Sequence, residues 1–142
     1  MKWILRLLPL LYMAIIWIQS SYSSDQFVQI SNSWWDNHIK ESLHLIEFAI
    51  LYLLLVLAFL TRRGGLTRGW NVLGAVLAAL WGIIDEIHQS FVPYRSATLF
   101  DFIKDIIGIS VCFYFVRGAM FAGKFTSLRK ALLRVKEICL GR

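Results

Sequence analysis

Two short stretches of this chain hold the side chains best suited to move a proton or grip a charged group. One is Asp85-Glu86-Ile87-His88-Gln89-Ser90-Phe91-Val92-Pro93-Tyr94-Arg95, followed by Asp101 and Asp105; the other is His44 with Glu47. His88 or His44 has the chemistry of a general base, with Glu47 or Asp85 to orient it and Arg95 to hold a phosphate or carboxylate. Asp85, Asp101 and Asp105 offer the oxygen donors that a hard divalent cation prefers. Against an enzyme, there is no nucleophile motif, no His-Glu-x-x-His metal spacing and no phosphate loop. Apolar sequence flanks the cluster on both sides, and carboxylates beside a membrane are costly enough to suggest a working site.

The elements that must position these groups follow from composition. Of 142 residues, 58% are hydrophobic and 15% aromatic, and mean hydropathy is +0.61, too apolar for an ordinary soluble domain. Apolar runs fall at residues 3–18, 43–60, 69–84 and 99–121, each near the ~20 residues that cross a hydrocarbon core. None alternates like a barrel strand, and helices are the other structure that lipid permits. The expected fold is all-α: an integral membrane four-helix bundle over residues 1–122. A basic tail over 123–142 follows, read as a short amphipathic helix on the membrane surface. The basic start and the small residues Ser21 and Ser23 also resemble a cleavable secretory signal. Arg6 and Pro9 interrupt its apolar stretch, which favours a retained span.

The net charge of +6 invites a nucleic-acid reading, but its distribution argues for membrane topology. Lys2, Arg6, Arg62, Arg63, Arg68 and the basic residues from Arg117 to Arg142 fall on one side of the four spans, predicted to be cytoplasmic with both termini. The loops at the other end carry Asp25, Asp36, Glu41, Asp85, Glu86, Asp101 and Asp105, and are predicted to face outward. In the first of these loops, Trp34 and Trp35 suit a membrane interface. Cys112 and Cys139 lie at different depths and in no ligand spacing.

Depth and register bring the polar groups together. The second span starts inward with His44 and Glu47, the third ends outward with Asp85, Glu86, His88 and Gln89, and the fourth starts with Asp101 and Asp105. Within each helix these residues are three or four apart, so each set shares a face. Val92 before Pro93 is extended, turning the loop so that Arg95 can answer the carboxylates. Lys104 reads as a solvated or snorkelling neighbour. Gly74, Ala78 and Gly82 form a stripe for close helix packing, and Gly108 with Cys112 a similar strip on the fourth span.

These residues resemble a known family. The string Asp85-Glu86-x-His88-Gln89-x-Phe91-x-Pro93-x-Arg95, with Asp101, Asp105 and Gly108 in the following spacing, is similar to the signature of the VanZ-like membrane proteins. His44-Leu45-Ile46-Glu47-Phe48 resembles that family's His-Phe-x-Glu-Tyr segment, with Phe48 in place of Tyr. The resemblance spans roughly residues 40–115. Tyr94 stands where many members have Gly, and Asp105 where Asn is frequent. The resemblance implies a multi-pass protein of the bacterial cytoplasmic (inner) membrane, associated through the family's namesake with lowered susceptibility to teicoplanin, a lipoglycopeptide. It implies no particular reaction.

Four functions fit. The first is a lipid- or precursor-modifying enzyme with catalytic His44, Glu47, Asp85, His88 and Asp101, substrate-binding Gln89, Arg95 and Asp105, and a divalent metal as an optional cofactor. The second is a binding or modulating protein whose partners are membrane lipids, a lipid-linked envelope precursor or a lipoglycopeptide, with no nucleic acid. The third is a polar network that only holds the helices in register. The fourth is an ion or proton pathway, for which the apolar cytoplasmic half of every span leaves no visible route.

Overall fold

The structure is a computed structural model that describes the backbone of residues 2–22, 34–93 and 99–140, and the side chains of 2–22, 45–93 and 99–139. Arg95 and Tyr94 therefore lie outside the described residues, as do the side chains of His44, Trp34 and Trp35. Five helices follow one another along the described chain: α1 Lys2–Ser20, α2 Trp34–Leu60, α3 Arg68–Gln89, α4 Leu99–Phe121 and α5 Thr126–Leu140. The fold is all-α, as expected.

α2 is the central helix and packs against all four others. Phe48, Leu51, Tyr52, Leu55 and Val56 repeat at helical spacing and are buried, forming most of the core with Ile16, Ile109 and Val116. α2 starts at Trp34, well before the apolar run, because no Gly or Pro separates the interfacial segment from the span. α3 is started by Thr67, whose hydroxyl accepts from Trp70 N at 3.3 Å. The turn before it uses Gly65 in a left-handed conformation, φ 64°.

α3 is polar and small on its inside. Its buried face is Asn71, Gly74, Ala78, Gly82, Asp85 and Gln89, whereas Val72, Leu73, Val76, Leu77, Leu80, Ile83, Ile84 and Ile87 are exposed. α4 repeats the pattern, with Asp105 and Gly108 buried and Ile103, Ile107, Val111 and Phe115 exposed. A helix arranged this way in water would leave its apolar side unburied, against the dominant driving force of folding. In lipid that side has its solvent, and small residues let the helices approach. α1 and α3 are each long and apolar enough to cross a membrane, and Leu45–Leu60 is a shorter apolar stretch.

The glycines set the closest approaches. A Cβ on Gly108 would collide with the Leu45 carbonyl of α2, and one on Gly82 would stand 3.2 Å from Asp105 Oδ2. α5 is the short amphipathic helix expected after the fourth span. Leu132 is buried and Leu128, Leu133, Val135, Lys136 and Cys139 are half-buried, so its apolar face is applied to the bundle. The sequence alone could not see that the bundle end supplies this cover.

Candidate functional site

At one end of the bundle the C-termini of α1 and α3 meet α2 and the N-terminal part of α4. A single layer there collects Ser20 and Ser21, Glu47, Asp85 to Gln89, and Asp101 to Asp105. α1 and α3 both end here because polar residues succeed their apolar runs; α3 closes on Ser90, whose N–H donates to the Glu86 carbonyl, while the N–H of Phe91 donates to that of His88.

Asp85 is one of its buried members. It is 1% exposed. Its Oδ2 accepts from Ser20 Oγ at 2.9 Å and from Gln89 Nε2 at 2.6 Å, and Gln89 Nε2 also reaches Ser20 Oγ at 3.4 Å. Both donors converge on one oxygen; the other, Oδ1, is buried and has no hydrogen-bond partner among the described residues. Asp105, 0% exposed, leaves both its oxygens in the same condition, as does the indole Nε1 of Trp81, one turn below Asp85. Asp105 also lies within electrostatic reach of Glu86, Asp85, Glu47 and Asp101. Five carboxyl groups therefore share one low-dielectric layer, a costly arrangement in lipid.

The other candidates divide between α1 and α4. Gln19 Nε2 donates to Glu47 Oε1 at 2.6 Å. Asp101 pairs with Lys104 at 3.1 Å, so Lys104 is bound to the layer rather than merely solvated. His88 stacks on Trp17 at 3.8 Å between ring centroids and lies 2.9 Å from Ser21 Oγ through Nε2. Ser21 spends its own hydroxyl proton on the Trp17 carbonyl at 2.7 Å, so Nε2 is the donor to Ser21. That is the reverse of a histidine activating a serine, which must accept the hydroxyl proton. Asp85, engaged by Ser20 and Gln89, does not orient His88 either. No group of three His, Cys, Asp or Glu among the described residues is arranged to hold a metal ion. The aspartates are thus close enough to feel one another without forming a coordination shell.

Reasoning from sequence missed Gln19, Ser20 and Ser21. Serines at a helix end are ordinary, and Ser21 matched the pattern of a cleavage site. The available signal was register: Pro9, Ile16 and Ser20, the buried residues of α1, repeat at helical spacing and mark the face turned to the bundle.

No curated protein and no solved structure matches the chain. The pattern of one family, VanZ/LLP1, matches residues 4–121, which extends the resemblance read from residues 40–115 to take in α1. As that match runs over all four helices that build the polar layer, the chain belongs to the VanZ/LLP1 family.

Proposed function

We propose that the polar layer is a binding site for the head group of an envelope lipid, lipid-linked precursor or lipoglycopeptide, and that occupying it lowers susceptibility to teicoplanin. The single observation that carries this reading is Asp85, a buried carboxylate with one oxygen saturated by Ser20 and Gln89 and the other left without a partner among the described residues. A network that served packing alone would leave no such acceptor, because each costs about 1–3 kcal/mol unmade. With Asp105 beside it the layer is rich in acceptors, which suits a ligand group that is cationic or donates hydrogen bonds, such as an amine. Family membership supports the association with teicoplanin.

The hydrocarbon part of such a ligand has a place. A groove of about 280 Å³ runs between α3 and α4, lined by Val72, Val76, Ala79, Ile106, Ile109 and Phe113. Its lining residue Ile106 follows Asp105 in sequence, and Ala79 lies one turn from Gly82, so the groove is on the same two helices as the polar layer. Binding is favoured over turnover because His88 donates to Ser21 and stacks on Trp17, so its Nε2 is not a base toward that serine. In this reading the protein is a four-span protein of the bacterial cytoplasmic membrane. The polar layer faces outward, and both termini lie on the cytoplasmic side with the basic residues.

The test is teicoplanin susceptibility of a sensitive Gram-positive host expressing the wild type or Asp85→Asn at equal membrane levels. Raised tolerance with the wild type alone supports the reading. Equal tolerance in both strains, or none in either, removes the tie between this layer and the drug.

A further inference from the structure

The opposite end of the bundle carries a second charged site, independent of the acidic layer. Among the described residues every Lys and Arg except Lys40 and Lys104 belongs to this end, and Glu137 is the acid that accompanies them. Three of these cations converge on the α2–α3 turn. Arg6 donates from Nε to Thr61 Oγ1 at 3.0 Å and from Nη2 to the Thr61 carbonyl at 3.1 Å. Arg62 places its Cζ over the Trp70 ring, 3.4 Å from the centroid, Trp70 meets Phe59 edge to face, and Arg62 Nη1 is buried with no hydrogen-bond partner among the described residues. Lys136 comes from α5, and its Nζ would touch a Cβ placed on Gly65 at 3.4 Å.

Lys136 is the unusual member. It sits on the face of α5 that packs against the bundle, with Leu128, Leu132 and Cys139, rather than on the exposed face with Arg129, Lys130 and Arg134. Among the described residues neither Arg62 nor Lys136 has a carboxylate partner, and no acidic residue occupies the first turn of α3 or α5. Cations half-buried at one turn without a counter-charge repel one another and are poorly hydrated. An anion between them would relieve both costs.

We infer that the corner formed by α5 and the α2–α3 turn binds the phosphate of an anionic phospholipid head group, held by Arg62 and Lys136 with Arg6 beside them. The source is the surrounding bilayer, because the corner lies at the end of membrane-length helices where head groups are already concentrated. Arg62, held over Trp70 with Nη1 unpartnered, has the planar fork that pairs with phosphate, and Lys136 adds a point charge. The lipid would then tie α5 to the core as a third partner, which makes the packing of α5 dependent on lipid charge.

The experiment uses the full chain purified in a neutral detergent. Phosphatidylglycerol, phosphatidylcholine or inorganic phosphate is added, and bound lipid is counted by native mass spectrometry beside the thermal midpoint. Phosphatidylglycerol should bind and raise the midpoint, while phosphatidylcholine and inorganic phosphate do neither. Arg62→Gln and Lys136→Gln should each weaken phosphatidylglycerol binding about fivefold, the worth of one cation near an anionic surface. Arg63→Gln, on the exposed side of the turn, should change it less. Should either neutral variant fail to fold, Arg62→Lys and Lys136→Arg keep the charge and should keep the lipid. Equal binding of the two lipids by the wild type, equal stabilisation by inorganic phosphate, or undiminished phosphatidylglycerol binding in the double Gln variant would each overturn the assignment.

Discussion

At the scale of residues, the acidic layer is a set of acceptors with too few donors, and each member responds differently to substitution. Ser20→Ala removes one of two hydrogen bonds to Asp85 Oδ2 and should cost about 1–3 kcal/mol, read as a lower thermal midpoint in detergent. Asp105→Asn should do the opposite. It keeps the shape beside Gly82, replaces one of five crowded carboxyl groups by an uncharged amide and supplies a donor, so the midpoint should rise by ~1–2 kcal/mol of stability. A fall would mean that Asp105 is held by a favourable interaction. Asp85, Glu86, His88, Gln89, Asp101 and Asp105 were legible in the sequence because charge is conspicuous in apolar surroundings. Their partners on α1 were not, since a Ser or Gln at a helix end carries no comparable signal until the chain is folded. The hydrogen bond that occupies His88 was equally invisible, because it depends on where Ser21 sends its own proton.

At the scale of elements, the bundle is fixed by the tight crossing of α2 and α4 and by one polar clasp in its interior. Gly108→Ala would drive a methyl into the Leu45 carbonyl, so the helices must separate, at about 1–3 kcal/mol; a variant as stable as the wild type would refute the crossing. Tyr52 donates to Asn71 Oδ1 at 2.7 Å, both fully buried, and joins α2 to α3 at mid-depth. Tyr52→Phe leaves that acceptor stranded and should lower stability by a similar amount, ~1–3 kcal/mol, whereas Tyr114→Phe, on the exposed face of α4, should be neutral. The helices themselves were readable from hydropathy. The length of α2 and the docking of α5 were not: helix propensity carries α2 through polar sequence to Trp34, and α5 packs on a surface that exists only once the other helices have assembled.

The described residues form a dipole of side chains, acidic at one end and basic at the other, around an apolar core on α2 and an α3 that turns small and polar residues inward. That arrangement predicts orientation. In a variant lacking Cys112 and Cys139, a cysteine introduced at Ser90 should react with an impermeant thiol reagent added outside intact cells. One at Gly64 should react only after the cells are opened; the reverse pattern would invert the topology. The account rests above all on the acidic layer being a ligand site rather than a packing device, and Asp85→Asn separates the two. Ser20 and Gln89 already share Oδ2, so an amide oxygen can take its place while NH2 replaces the unpartnered Oδ1. The measurement is binding of labelled envelope lipid and teicoplanin to the purified wild type and Asp85→Asn, with the thermal midpoint of each recorded. The account predicts a midpoint close to that of the wild type and loss of binding. Undiminished binding by Asp85→Asn, or a wild type that binds neither ligand, would contradict it.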